Sequence, residues 1–496
     1  MSSVDRMCST EGMMPPEAMC GFRRTRAALS LQRRPAWSRV ATSAALGVLL
    51  ALAGCASMAP EYRRPAAPVD SEFPGETAVA GGALASDISW HTFFANPALK
   101  QLIGIALDNN RDLRVAGLAI EQARALYQIQ RADQLPTINL GVSGQRQPSQ
   151  VGTGQSSIYQ AGLNVTAFEL DFFGRLKSLS NAALAQYLAT EQAQRTAQIS
   201  LIANVVNTYL NVLADEELLE VTRQALRTRE ESLKLTKLKF DNGAASELDY
   251  RQAESLIEAA RVTLAQVTRQ RALDRNALTL LLGQPLPAGL PSTKLSKGQD
   301  ILPELPIGLP SQVLTRRPDI LQAEQQLIAA NADIGAARAN FYPRITLTGS
   351  AGVASRELSA LFNNGLFAWT LAPQLLVPIF DRGRNRANLR GTEAARDIAV
   401  AQYEKAIQNA FREVADALAG RATLVDEVRA QRAQMNAEAT RLRLADLRYK
   451  NGAASYLDVL DAQRSLFVAQ QAVVQVQAAQ VQNLVSLYRV LGGGWK

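Results

Sequence analysis

The chain has 496 residues, of which 47% are hydrophobic and only 6% aromatic, and its formal net charge is +8. The first 54 residues hold seven arginines and three acidic residues, so half of the excess charge lies there, and the remainder is too small to indicate nucleic-acid binding. His91 is the single histidine, and the sequence has no P-loop, GxSxG, HExxH or GxGxxG motif after a strand. From the sequence we therefore expect a protein that is not an enzyme and that holds no resident metal and no cofactor.

The N-terminus has the features of an export signal. Six arginines between residues 23 and 39 precede a short apolar stretch at residues 44–53. The next residues, Leu52-Ala53-Gly54-Cys55, resemble the lipobox of bacterial lipoproteins, in which the signal is removed before the cysteine and the cysteine is acylated. We expect residues 1–54 to be a lipoprotein signal peptide and Cys55 to be lipidated. The alternative is an ordinary secretory signal followed by a chance cysteine.

An acylated leader and equatorial segment, residues 55–112, is expected to precede the first of two repeats, residues 113–283. In order, the patterns predict a helix at 113–135, alternating strands at 136–148 and 159–167, and helices at 175–241 and 247–282. The helix at 175–241 contains neither Gly nor Pro, and its 67 residues would be about 100 Å long.

The two long helices meet at the sequence Asn242-Gly243-Ala-Ala-Ser246. Gly243 suits the left-handed position that follows a helix end. Ser246 can cap the next helix, with Asp249 three residues later as in a capping box. These residues predict the tip of an antiparallel helical hairpin.

The second repeat, residues 319–496, follows a linker and equatorial segment at residues 284–318 that is rich in Pro and Gly. In order, the patterns predict a helix at 320–342, strands at 343–353 and 367–373, and helices at 384–450 and 456–491. Asn451, Gly452 and Ser455 form the second hairpin tip. Leu460, Phe467, Val474, Val481 and Tyr488 recur every seven residues, which predicts a coiled-coil seam in the last helix.

The four strands have the pattern of a membrane barrel with a wet interior, because one face of each is apolar and the other is polar. Four strands are too few, since a closed barrel needs about eight or more. The barrel must therefore be shared, and three chains would supply twelve strands. In each half, the helix before the strands and the second helix of the hairpin, stacked end to end, would together span about 89 Å. This is close to the length of the first, long helix of the hairpin. Each half of the chain is thus predicted to form part of the wall of a helical tube.

Several stretches of the sequence resemble one family. They are WHTFFANPALKQLIGIALDNNRDLRVA, FELDFFGRL, RRPDI, ANFYPRITLTGSAG, PIFDRGRNRANL, YKNGAASYLDVLDAQRSLFVAQQ and LYRVLGGGW. In this order they cover nearly all of the chain after the signal. They resemble the TolC-like outer membrane factors of bacterial efflux and secretion systems, and among these the NodT-type efflux lipoproteins.

The resemblance implies a fold that is mainly α with a β-barrel portion. Each chain would contribute two structural repeats to a long α-helical coiled-coil barrel, and four strands to a homotrimeric 12-stranded barrel among the lipids of the bacterial outer membrane. The implied function is a passive duct that exports small molecules and drugs from the periplasm. A periplasmic membrane-fusion (adaptor) protein and an inner-membrane RND-type pump would be its partners, and no nucleic acid is expected.

The family closes its duct at the periplasmic tip. Carried over by position, its gate acids correspond to Asp458 and Asp461, with Tyr449 and Leu457 nearby. We expect three copies of Asp461 to form an acidic ring at a closed tip, while Tyr449 and Leu457 supply the packing.

The internal repeat separates the two acids. Asp458 has Asp249 as its counterpart in the first hairpin, so a helix cap explains it as well as a gate does. Asp461 has Gln252 as its counterpart, and capping does not account for it. Some relatives have an arginine after the tip glycine where this chain has alanine, so Arg464 is the nearest residue that could bind the gate acid.

Two other functions remain open from the sequence: a duct for secreted proteins, and a structural coiled-coil envelope lipoprotein. The lipobox and the NodT-like stretches favour small-molecule efflux over protein secretion. The alternating strands argue against a purely structural coiled coil.

Overall fold

The computed structural model describes residues 57–70, 72–74, 85–148, 154–288, 295 and 316–495. All of these belong to one structural unit, Cys55–Lys496. The predicted signal peptide, Cys55 and most of the predicted linker at 284–318 lie outside the described residues.

The described elements repeat in the two halves of the chain. The first half contains α1 (Trp90–Phe93), α2 (Pro97–Asn109), α3 (Arg111–Ala132), β1 (Ile138–Pro148), β2 (Gln155–Glu169), α4 (Arg175–Asp241) and α5 (Glu247–Leu282). The second half contains α6 (Pro318–Ala339), β3 (Arg344–Ser355), β4 (Leu366–Leu376), α7 (Arg384–Lys450) and α8 (Tyr456–Val490). Short 3₁₀ turns lie at Ala85–Asp87 and Leu358–Ala360.

The long helices have the predicted bounds, except that α8 ends one residue earlier than predicted. The predictions for α3 and α6 were wrong at both ends, because each helix begins two residues earlier and ends three residues earlier than expected. The Asn110 side chain caps α3 by accepting from the Leu113 N–H, and Pro318 occupies the first turn of α6. Pro136 follows the end of α3 and Pro343 follows the end of α6. A proline disfavours helical backbone in the residue before it, so neither helix can continue to the predicted end.

The strands form one antiparallel sheet in the order β1-β2-β3-β4. One row of paired residues across the sheet is Leu140, Leu163, Ala351 and Trp369, and the adjacent row is Asn139, Asn164, Ser350 and Thr370. The pairing register thus places the apolar side chains on one face and the polar side chains on the other, as the alternation predicted. β1 and β4 have no further strand beside them among the described residues.

The short helix before the strands is more completely packed in the second repeat than in the first. α6 packs against both α4 and α7, and twelve of its residues are buried. Its counterpart α3 packs mainly against α4 and has no buried residue. The exposed side of α3 carries large apolar side chains at Val115, Leu118, Leu126 and Ile129. One side of α3 therefore lacks the neighbour that its counterpart has.

The core lies where the hairpin helices meet α1 and α2. Phe93 stacks on Tyr488 with ring centroids 4.0 Å apart, and the Tyr488 hydroxyl donates to the Ile88 carbonyl at 2.7 Å. His91 is exposed beside Trp90. All five heptad residues of α8 are buried, which confirms the predicted seam.

One window of α4 is long and apolar enough to span a membrane by composition alone. Most of that window, 61%, is buried inside the chain, as expected for a core helix. The apolar stretch therefore reflects packing at the centre of the molecule.

Candidate functional site

The two hairpin tips have the same backbone. Gly243 and Gly452 adopt left-handed conformations with φ of 74° and 69°. The Asn242 and Asn451 side chains each donate from Nδ2 to a carbonyl four residues earlier, at 2.7 Å. The predicted turn chemistry of both tips is therefore present, and it fixes where each helix reverses.

A capping box begins the second helix of each hairpin. Ser246 caps α5 together with Asp249, and Ser455 caps α8 together with Asp458. The Asp458 carboxylate accepts from the Ser455 N–H at 3.1 Å, and the Ser455 hydroxyl accepts from the Asp458 N–H at 3.4 Å. Asp458 is thus a helix cap, which accounts for its position without a gate. A further role for Asp458 in the gate stays a prediction.

Asp461 lies in a charge network on the second hairpin. Its carboxylate binds Arg441 of α7, and it also binds Arg464 of α8 at 2.5 Å. Arg441 in turn binds Glu438 at 3.2 Å. Hydrogen bonds from Arg441 and then from Arg464 lower the pKa of Asp461, so it stays ionised at neutral pH.

The network carries no net charge, because two arginines face two acids. In a ring of three Asp461 side chains, each carboxylate would therefore remain paired with the two arginines of its own chain. The sequence had identified Arg464 as the nearest candidate partner but had missed Arg441 and Glu438. A signal for Arg441 was present, because Arg441 and Asp461 each lie ten residues from Asn451 at the hairpin tip.

In the first hairpin the ion pairs between the two helices lie farther from the tip, at Arg261–Glu230 and Arg271–Glu216. At the positions equivalent to Arg441, Asp461 and Arg464 this hairpin has Ser232, Gln252 and Ser255. The turns and capping boxes are therefore common to both tips, whereas an ion pair between the two helices ten residues from the tip occurs only in the second hairpin. This difference makes the second hairpin the stronger candidate for a functional role.

Tyr449 joins the two hairpins. Its hydroxyl accepts from Nζ of Lys239, on α4, at 3.0 Å. Its ring lies 5.1 Å from the ring of Tyr456, which is buried in a small apolar cluster with Ala253 of α5. The structure thus brings Tyr449 into the contact between the tips, and Lys239 is a partner that the sequence did not reveal.

Leu457 lies on the surface. It is 53% exposed, and its counterpart Leu248 in the first hairpin is 66% exposed. Leu238 and Leu447 form a second exposed pair at equivalent positions. Each tip therefore presents apolar side chains about half of whose surface is exposed.

The arrangement can hold two hairpins together by polar contacts that are open to solvent. Among the described residues, no group of three or more His, Cys, Asp and Glu side chains could hold a metal ion. The chemistry of the tips is thus that of ion pairs, hydrogen bonds and exposed apolar surface.

Comparisons with known proteins agree with this architecture. The family model described as "Outer membrane efflux protein" matches residues 102–284 and 309–493. The chain is 48% identical over 458 residues to the solvent efflux pump outer membrane protein SrpC of Pseudomonas putida, covering 90% of this chain and 97% of that protein. It is 47% identical over 469 residues to the outer membrane protein OprJ of Pseudomonas aeruginosa, covering 93% of this chain and 97% of OprJ. The solved open state of the Neisseria gonorrhoeae MtrE outer membrane channel has a TM-score of 0.81 and 41% identity, and the match covers 89% of this chain and 99% of MtrE.

Proposed function

Since the chain belongs to the outer membrane efflux protein family, we propose that it is the outer membrane channel of a tripartite efflux pump. Three copies form a passive duct through which small molecules, such as the solvents named for SrpC, leave the periplasm. The sheet lies in the outer membrane and the long helices extend into the periplasm.

The two-faced sheet is the observation that carries this proposal. Its apolar face suits lipid and its polar face suits a water-filled interior. Because unpaired backbone is not tolerated in hydrocarbon, the free edges of β1 and β4 require partners in the membrane. The free β4 edge of one copy would pair with the β1 edge of the next, and three copies would close twelve strands.

The unequal packing of α3 and α6 supports the same assembly. α6 lies between α4 and α7 of its own chain, whereas α3 packs mainly against α4. In a closed ring, α7 of a neighbouring copy would cover the exposed apolar side of α3. The internal repeat thus supplies a template for the contact between chains.

The partners at the periplasmic end would be a membrane-fusion adaptor and an inner-membrane RND-type pump. The exposed leucines of both tips, Leu238, Leu248, Leu447 and Leu457, offer the adaptor an equivalent apolar contact at each hairpin. Tyr449 and the Asp461 network would hold the tips together in the resting state. Opening would then require Tyr449 to leave Lys239.

The leader after Cys55 supports a lipid anchor. The Ser57 hydroxyl lies 3.2 Å from that of Ser178, in the first turn of α4 just after the strands. From there the leader runs along α6, where Asn331 donates to the Pro60 carbonyl at 2.7 Å and Arg64 binds Glu324 at 2.7 Å. The described leader therefore starts beside the strand ends, where an acyl chain on the preceding cysteine would meet lipid. Such anchoring adds to barrel insertion and does not replace it.

The proposal is tested by purifying the protein in detergent and adding it to planar bilayers, and by expressing it in a strain that lacks its own efflux channels. We expect discrete single-channel conductance, and restored resistance to solvents or drugs when the cognate adaptor and pump are present. A folded, membrane-inserted protein that neither conducts nor restores resistance would contradict the proposal.

A further inference from the structure

A second ion cluster lies where the strands meet the helices. The Glu169 carboxylate accepts two hydrogen bonds from Arg175, at 2.8 and 2.7 Å, and one from Nε of Arg344 at 2.5 Å. The Glu169 side chain is only 10% exposed, whereas that of Arg344 is 54% exposed. Glu169 is therefore fixed between two arginines, one buried with it and one open to solvent.

The pairing register places this cluster on the polar face of the sheet. A bulge between Val165 and Phe168 shifts the register of β2, so that Phe168 pairs with Leu347 on the apolar face and Glu169 pairs with Thr346 on the polar face. Arg344 is two residues from Thr346 on the same strand and so shares its face. If the duct is formed as proposed above, the polar face lines its interior, and the cluster faces the path of the exported molecules.

A cavity of about 400 Å³ adjoins the cluster. Its charged lining residues are Glu169, Asp171, Arg175, Arg344 and Arg384, which leaves one positive charge in excess. The Asp171 carboxylate already accepts a hydrogen bond from the Lys177 N–H, at 2.8 Å. Arg344 uses only its Nε–H within the described residues, so its two terminal amino groups remain available to another acceptor.

We propose that this cavity is an anion subsite of the duct, in which Arg344 binds carboxylate or phosphate groups of molecules in transit. A planar guanidinium matches such groups with paired N–H donors, and Glu169 holds it in place. Asn340 and Asn385 line the same cavity and can donate further hydrogen bonds. The other junction among the described residues, before α7, has Arg384 but has Pro378 and Ile379 near the position of Glu169, so the cluster occurs at one of the two described junctions.

The test measures the ion selectivity of single channels in planar bilayers under a salt gradient. Arg344→Gln should lower the anion-to-cation permeability ratio about threefold, the effect of one unit charge about 6 Å from an ion's path in water once salt screening has roughly halved its energy. Glu169→Gln should shift the ratio in the opposite direction, because it removes the countercharge of Arg344. Block by pyrophosphate, used as the probe anion, should weaken in Arg344→Gln.

Arg356→Gln is the control, because it removes the same charge beyond the other end of β3, away from Glu169 and the cavity, and should leave the pyrophosphate block unchanged. An Arg344→Gln channel with wild-type selectivity and wild-type pyrophosphate block would overturn the subsite, as would an equal effect of Arg356→Gln. A wild-type protein that forms no channel would instead overturn the proposed function itself.

Discussion

Arg441 on α7 and Asp461 on α8 lie ten residues on either side of Asn451 and form an ion pair across the second hairpin. Side chains at equal distances from the tip of an antiparallel hairpin lie next to each other, so the turn at Asn451 sets this pairing. The first hairpin has the same turn but has Ser232 and Gln252 at these positions. The chain thus contains its own uncharged control for the network.

The first prediction concerns the charge balance of this network. Asp461→Asn leaves two arginines against one acid and should lower the cation preference of the channel. Arg441→Gln removes a positive charge and should raise it. Each change should be about threefold in permeability ratio if the charge lies about 6 Å from the ion path and salt screening roughly halves its energy. Reversal potentials in planar bilayers measure both.

Asp249→Asn is the control for these variants, because it removes an acid of the first hairpin that serves as a helix cap. It should lower the thermal stability of the protein without changing its selectivity. If the two network variants shift selectivity in the same direction, or neither shifts it, Asp461 has no role near the ion path.

The second prediction concerns Asp215, which is 6% exposed on α4 and has one carboxylate oxygen without a hydrogen-bond partner among the described residues. Burial and a hydrogen bond with Asp274 raise the pKa of Asp215 to about 7. Because the unfolded chain ionises near pH 4 and the folded chain near pH 7, this group makes stability fall as pH rises between those values. Above pH 7 the penalty is complete.

Asp215→Asn should therefore raise the thermal midpoint at pH 8 and leave it nearly unchanged at pH 4. We expect the free energy of unfolding to increase by about 1 to 2 kcal/mol at pH 8. This is less than the full pKa shift implies, because nearby charges and solvent screen the group. Asp426→Asn, in an exposed ion pair with Arg429, is the control and should change little at either pH. A gain at pH 4 as large as that at pH 8 would contradict the assignment.

The third prediction concerns the two faces of the sheet. Trp369 and Thr370 are neighbours on β4, with Trp369 in the apolar row and Thr370 in the polar row. Trp369→Lys should cost about 2 to 4 kcal/mol of insertion free energy near the membrane midplane, whereas Thr370→Lys should cost little. The amount of heat-resistant oligomer in outer membrane fractions measures the difference. Equal losses from both variants would show that the polar face does not border water.

The fourth prediction concerns the docking of the leader at Gly335. A Cβ at this position would lie 2.6 Å from the Ala59 nitrogen and 2.6 Å from the Ser178 hydroxyl oxygen. Gly335→Leu should therefore displace the leader and speed tryptic cleavage after Arg63, which mass spectrometry can follow. Gly391→Leu, whose added Cβ would meet nothing within 4 Å, should cleave at the wild-type rate. Identical cleavage of both variants would mean that the leader does not depend on this contact.

Local signals in the sequence were enough for the hairpins. The absence of Gly and Pro from residues 175–241, together with the Asn-Gly tips and the Ser/Asp caps, defined α4 and α5 to the residue. The alternation of the strands also predicted the two faces of the sheet. Each of these features depends on neighbours in sequence, so no knowledge of distant contacts was needed.

Features that depend on distant residues were missed. The partner of Asp461 on α7 required the register of the hairpin, and the contact of Tyr449 with Lys239 required the packing of one hairpin on the other. The cluster at Glu169 joins two halves of the chain 175 residues apart, through a bulge that the alternation of β2 does not show. Equal distance from Asn451 could have indicated the pair of Arg441 and Asp461, but composition and periodicity carry no information about the other two contacts.

Native mass spectrometry in detergent micelles shows whether three copies of this chain close one barrel. The sample is a Cys55→Ser protein exported with a replacement signal peptide, which separates assembly from lipidation. We expect a species of three chains, because each copy leaves two strand edges that only another copy can pair. A monomer that keeps its full helical content by circular dichroism would show that the barrel is not shared between copies.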